Sequence, residues 1–378
     1  LFMQEEFSRH NLFLQGLDVF TKEDPHLANL RELVFVDPLD WWKEIDWKHP
    51  GIFILTGGRQ IGKSTSTKLL IKHVLEQGLF HPRAIFYLTC DLIGHVQDLT
   101  QMIRNFLEEH SSQRFLLIVD EVTFVKDWDR AIKALADEGA FRRGFCLLTG
   151  SDTLILKEAA NRFPGRRGDA DQTDFHLYPL SFKSYVELTA KPLLHASEND
   201  VLMEELFQSL EKYFRSGGYL RAINEFHREG TVRRATYQTF EQWICGDFEK
   251  RGKDRRTLLL ILKMLYETSG SQVTFSALTN RLGEISKETF INYVEMLERM
   301  DVVFQLQAFH QNKKMGFPKK ARMIHFAAPF IYDTVGQWLT REGLVTPKDD
   351  VALKAELVVA ANLRRERPCY YWKGDGEI

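Results

Sequence analysis

The sequence has little cysteine, no long apolar run and almost no net charge, and each shortage removes a class of protein. Cys90, Cys146, Cys245 and Cys369 are the only four cysteines in 378 residues, and they form no C-x-x-C pair. That argues against a disulfide framework or a zinc ribbon and reads as reduced thiols of a cytoplasmic protein. The most apolar run, Leu258-Leu259-Leu260-Ile261-Leu262, is far shorter than the roughly 20 residues of a bilayer span, so no membrane contact is expected. The N-terminus lacks the basic, apolar and small-residue succession of a secretion signal. Fifty Lys and Arg against 52 Asp and Glu give a formal charge of −2, so any nucleic-acid surface must be local. A guanine-specifying Asn-Lys-x-Asp motif is missing as well. The chain starts at Leu1 and stops on Glu377-Ile378, and further residues are expected at both ends.

What is present is the composition of an ordinary globular protein, 44% apolar and 27% charged, long enough for two or three domains. Its most informative stretch is Gly57, Gly58, Arg59, Gln60, Ile61, Gly62, Lys63, Ser64 and Thr65. An apolar strand, Ile52–Leu55, precedes it, and Leu69, Leu70, Ile71, Val74 and Leu75 follow with helical spacing. G-x-x-x-x-G-K-S between a strand and a helix is a phosphate-binding loop. The glycines let successive backbone N–H groups face phosphate oxygens at the positive end of the helix dipole. Lys63 would lie against the β- and γ-phosphates, and the Ser64 hydroxyl would ligate Mg²⁺.

Residues 51–182 alternate strands with helices, which predicts a parallel sheet covered on both faces. The expected strands after the loop strand are Arg83–Thr89, Phe115–Val119, Phe145–Thr149 and Phe175–Leu180. Phe115–Val119 runs into Asp120-Glu121: Asp120 is placed to hold Mg²⁺ and Glu121 to orient or deprotonate the attacking water. Phe145–Thr149 would end between that pair and the phosphate loop, so Thr149 or Ser151 is expected to reach the γ-phosphate or the water, and Asp152 to cap the next helix. The basic loop Arg162–Gly168 offers Arg166 and Arg167 as transition-state cations, in their own site or a neighbour's, or as a solvated loop.

These motifs, followed by Tyr178-Pro179-Leu180-Ser181-Phe182, resemble in order the AAA-type predicted ATPases of bacteria and archaea, relatives of the STAND ATPases, that carry a winged helix and a nuclease-like tail. The resemblance implies an α/β, AAA+-like five-stranded core with a helical lid. It implies ATP and Mg²⁺ at Lys63, Ser64, Asp120 and Glu121. Residues 1–50 would be a helical arm, amphipathic along Phe13, Leu14, Leu17 and Phe20; 51–182 the core and 183–250 the lid. The family's Gly-Gly-x-Pro turn has Leu220 in place of proline here, and Arg221 reads as solvent-facing or reaching a phosphate.

Residues 251–340 read as three helices and a β-hairpin, a winged-helix pattern. Lys313, Lys314, Lys319 and Lys320 would form a basic wing for duplex DNA. Glu288, Glu295 and Glu298 on the third helix oppose a groove seat, so a protein partner or a second copy of the chain is an equal expectation. Residues 341–378 resemble the start of a restriction-nuclease-like fold, with Glu356 facing inward and no cleavage expected. The function that follows is a Mg²⁺-dependent ATPase switch coupled to the winged helix. The alternatives are a DNA-binding ATPase of mobile-element or defence origin, and a scaffold that holds nucleotide with little turnover.

Overall fold

Every residue of β1 (Gly51–Gly57), β3 (Phe115–Asp120) and β4 (Gly144–Gly150) is buried, which is why these strands read as continuous apolar runs rather than alternating ones. The computed structural model describes residues 5–110, 112–152, 155–156, 158, 163, 165–198 and 200–372. The side chains of residues 5–6, 195–198, 200–201 and 318–319 are outside the description. The chain divides into two units, 1–177 and 178–378.

In the first unit, β2 (Ile85–Thr89) and β5 (Asp174–Leu177) complete a five-stranded parallel sheet in the order β2-β3-β4-β1-β5. One face packs on α4 (Lys63–Glu76) and on the arm, through Phe53, Leu55, Tyr87 and Phe145 against Phe13, Phe20, Trp42, Leu70 and Val74. The other packs on α5 (Val96–His110) and α6 (Trp128–Asp137), through Ile52, Ile54, Leu117 and Leu148 against Ile103 and Ile132. The arm is broken into short pieces, among them α1 (Glu5–Ser8), α2 (Leu17–Glu23) and α3 (Pro25–Leu30). Gly16, at φ +124, separates the turn that carries Phe13 from the helix that carries Phe20, within the arm expected to be amphipathic along both. Strand β5 stops at Leu177 rather than Leu180, short of Pro179, whose nitrogen carries no hydrogen for a ladder.

The second unit opens with α7 (Phe182–Thr189), α8 (Asp200–Ser216), α9 (Leu220–Glu229) and α10 (Arg234–Lys250). There follow α11 (Arg255–Thr268), β6 (Gln272–Val273), α12 (Phe275–Leu282), α13 (Lys287–Arg299), β7 (Val303–His310), β8 (Met315–Phe326), α14 (Pro329–Arg341), α15 (Val351–Glu366) and β9 (Tyr370–Tyr371). Ser286 caps α13, its side chain accepting from Thr289 N. The sheet runs β6-β8-β7-β9. Strand β8 starts at Met315, so the turn is confined to 311–314 and Lys319 and Lys320, expected in a wing loop, fall on the strand. Helix α15 packs on this same sheet through Phe304, Leu306, Ala360 and Ala361. Glu356, expected to face inward, keeps 47% of its side chain exposed. Among the described residues, no helix is long and apolar enough to cross a membrane.

Candidate nucleotide site

The loop from β1 to α4 can take its shape only with glycine at both ends. Gly57 sits at φ +149, where a Cβ would fall 2.7 Å from Leu177 O, and Gly62 caps α4 in the left-handed region at φ +98. Lys63, the first residue of α4, is buried. Its Nζ donates to Gly57 O at 2.9 Å and Gly58 O at 3.0 Å and lies 3.4 Å from Glu121 Oε1. The Arg59 guanidinium lies 5.7 Å from the centre of the Phe124 ring. Thr65 Oγ1 stands 3.5 Å from His26 Nδ1, and the Trp41 indole donates to Ser66 Oγ at 3.2 Å. Both contacts bring the arm onto the start of α4.

Strand order places β4 between β1 and β3, as expected, so Thr149 stands between the loop and Asp120. Asp120 is 3% exposed and receives three hydroxyls: Ser64 Oγ on Oδ2 at 2.8 Å, Tyr87 OH on Oδ2 at 2.5 Å and Thr149 Oγ1 on Oδ1 at 2.5 Å. Thr149 also accepts from Glu121 N at 3.0 Å, so its hydroxyl serves the two acidic residues. Glu121 sits at φ +52, and its Oε2 accepts from Ser151 N at 3.0 Å and Ser151 Oγ at 3.1 Å. Asp152 accepts from Ile155 N, the capping role expected of it.

The basic loop lies elsewhere. Arg167 donates to Asp174 Oδ2 at 2.7 Å, Thr173 O at 2.9 Å and Ile52 O at 3.4 Å, at the beginning of β1, whereas the phosphate loop leaves its end. Arg166 is ion-paired to Asp137, the last residue of α6. Neither arginine is brought to the phosphate loop of its own chain, so the expected action in that site has no support in this geometry. Arg162 lies outside the described residues. In the second unit Arg221 is half exposed and pairs with Glu225, the solvent-facing alternative.

Sequence reasoning missed a second layer behind Asp120. Lys68, fully buried, donates to His10 O at 2.5 Å, lies 3.4 Å from Asp24 Oδ2, and sits 3.5 Å from the centre of the Tyr87 ring. Burial, offset in part by Asp24 and Asp120, lowers its pKa to about 8. Burial and then Asp120 push the Tyr87 hydroxyl well up, so it remains a donor. His10 and His26 are lowered, mainly by burial. The sequence signal was Tyr87 in the middle of a largely apolar strand.

The donor set fits Mg²⁺. A hydroxyl and a buried carboxylate stand side by side at the N-terminus of a helix, with oxygen ligands only, as a cation that keeps most of its waters requires.

Residues 49–186 match the family described as an AAA domain. Residues 207–338 match a domain of unknown function. In sequence the chain is similar to an uncharacterized protein of Methanocaldococcus jannaschii, 24% identical over 324 residues, covering 78% of this chain and 63% of that protein. It is also similar to an uncharacterized protein of Haemophilus influenzae, 23% identical, covering 73% and 66%. The chain thus spans less than two thirds of the length of these curated relatives. Among solved structures it is similar to the Walker-type ATPase paby2304 of Pyrococcus abyssi, with TM-score 0.49 and 15% identity over 89% of this chain and 96% of that one. Another is the Aeropyrum pernix ORC1 protein, solved in complex with DNA, with TM-score 0.37 and 13% identity over 89% and 98%.

Proposed function

We propose that the first unit binds ATP with Mg²⁺ and hydrolyses it. The observation that carries this is Ser64 Oγ donating to the buried Asp120 carboxylate at 2.8 Å, one residue after Lys63 on the phosphate loop. Bound Mg²⁺ would neutralise charge developing on the phosphates, and Ser64 and Asp120 are the residues to hold it. Thr149 and Tyr87 keep the Asp120 carboxylate in one orientation. Glu121 is the general base: Ser151 fixes Oε2, while Oε1 faces the Lys63 ammonium. When Lys63 turns to the phosphates, Oε1 becomes free to accept the proton of an attacking water. The test is equilibrium titration with a fluorescent ATP analogue. Binding that tightens with Mg²⁺, and is lost in Lys63→Ala, supports this reading; no binding by the intact chain ends it.

We also propose that the core 51–182, the helical segment 183–250 and a winged-helix module over 251–340 act as one nucleotide-controlled switch. The succession α11, β6, α12, α13, β7, β8 supports the module assignment. Exposed Lys313, Lys314 and Lys320 on the wing are suited to phosphate contact and do not by themselves select a duplex; the Lys319 side chain lies outside the described residues. Glu288 and Glu295, both exposed on α13, weigh against seating that helix in a groove. The contact with a protein partner or second copy is tested by sedimentation with and without nucleotide: a state that changes with nucleotide supports it, and an unchanged monomer refutes self-association.

A further inference from the structure

Between Asp301 and Asp333 the sequence has no acidic residue, yet it has Lys313, Lys314, Lys319, Lys320 and Arg322. In a chain of net charge −2 this is a local concentration of positive charge, and it falls on the β7–β8 hairpin. The edge strand beside this hairpin carries aromatic rings that are partly in solvent. Strand β9 pairs parallel with β7, Gln307 opposite Tyr370 and Ala308 opposite Tyr371. Trp372 follows it, 52% exposed, with Tyr370 36% exposed. Phe309 stacks with Trp372 at 6.1 Å between ring centres and 27° between planes, and Tyr370 lies 5.9 Å away at 40°. Across the hairpin His310 and Phe317 are 4.9 Å apart, and Lys320 Nζ is 5.4 Å from the centre of Phe317. Phe309, His310, Phe317, Lys320 and Trp372 line a groove of about 440 Å³, whose lining also has amides at Gln272, Gln311 and Asn312 and no carboxylate among the described residues.

We propose that this hairpin and terminal strand bind single-stranded nucleic acid, with lysines on the phosphates and Phe309, Tyr370 and Trp372 stacking on unpaired bases. Charge of one sign selects a polyanion. Exposed rings then select among polyanions, because a duplex keeps its bases stacked on each other and presents only their edges, whereas a single strand offers its base faces. The amides in the groove are suited to base edges. The exposed Glu288 and Glu295 of α13, unfavourable to a duplex laid along that helix, do not face this requirement. The site is independent of the nucleotide-binding reading and is tested without nucleotide.

The experiment is fluorescence anisotropy of the full chain with labelled oligothymidylate, oligouridylate and a blunt duplex of equal length, over a range of salt. The expected result is tighter binding to one or both single strands than to the duplex. Trp372→Ala, at a position 52% exposed, should weaken single-strand binding about tenfold and leave the salt dependence unchanged. Changing Lys313, Lys314 and Lys320 together to alanine should lower the slope of log affinity against log salt by about 2. The thymidine and uridine arms separate DNA from RNA. Duplex binding equal to or tighter than single-strand binding, no binding, or a Trp372→Ala variant indistinguishable from the parent would each overturn the proposal.

Discussion

Replacing Lys68 by Met should unsettle the nucleotide site from behind without touching the loop. Lys68 is 0% exposed and Asp24 1%, so the pair is wholly inside the first unit. At pH 7 the ammonium is charged, since burial brings its pKa only to about 8. At the observed 3.4 Å and an effective dielectric of about 20, the attraction to Asp24 is about 5 kcal/mol before desolvation of either ion is counted. The ammonium also lies over the Tyr87 ring, a contact of about 2 kcal/mol when dry. Methionine fills the stem's volume but leaves Asp24 buried with two capping N–H groups, from His26 and Leu27, as its hydrogen bonds among the described residues. Loss of one member of a buried pair predicts destabilisation of about 3–5 kcal/mol. Adding Asp24→Asn, which keeps a capping oxygen, removes the stranded charge. The two changes should therefore be non-additive by about 2 kcal/mol in urea denaturation. A Lys68→Met cost below about 1 kcal/mol, or strict additivity, would refute the argument that the pair is a working buried ion pair.

Tyr87→Phe should raise the Mg²⁺ concentration needed for half-maximal turnover about tenfold and leave metal-free nucleotide affinity unchanged, because it removes one of the donors that orient Asp120. His325, fully buried against Phe304 with no hydrogen bond on either ring nitrogen among the described residues and with Glu356 Oε1 3.7 Å from Nε2, is lowered by burial from 6.5 to about 4. The unfolded chain therefore binds this proton first. The stability it contributes is complete above pH 6.5 and is lost as pH falls towards 4, by up to about 3 kcal/mol, and His325→Phe should flatten that limb of a pH-dependent melting series. Gly62→Ala should cut nucleotide affinity, since the new Cβ would need φ near +98 and would meet Leu39 Cδ1 at 3.0 Å.

The parts of the site legible in the sequence were those carried by short runs. Gly57–Thr65 and Asp120-Glu121 announce themselves because turn, charge and flanking periodicity occur within a few residues of each other. Thr149 followed from strand order, since a strand ending in polar residues had to stand beside the loop. The role of its hydroxyl did not follow: a bond to Asp120 depends on side-chain rotamers that periodicity does not describe. Lys68 was hidden for a different reason. Its position on α4 is that of an ordinary solvent-facing lysine, and only the arm, through His10 O and Asp24, closes over it. Tyr87 lies 33 residues from its partner Asp120, across a neighbouring strand. The arm itself was readable as apolar bulk around Phe13, Phe20 and Trp42, while its break at Gly16 was not. The basic loop was legible as a cluster of arginines before the last strand, but its partners were not: Arg167 is held by Asp174 and Arg166 by Asp137, away from the phosphate loop of their own chain. In the second unit the hairpin turn was overestimated, because a lysine-rich stretch reads as loop even where an antiparallel partner makes it strand.

The most direct test of the account is steady-state ATP turnover by the purified chain with Mg²⁺, beside Lys63→Ala and Glu121→Gln. The account predicts measurable turnover that falls at least about 100-fold in both variants, with nucleotide binding retained in Glu121→Gln and lost in Lys63→Ala. Turnover unchanged by Glu121→Gln would contradict the assignment of the general base, and nucleotide binding unchanged by Lys63→Ala would contradict the phosphate loop itself.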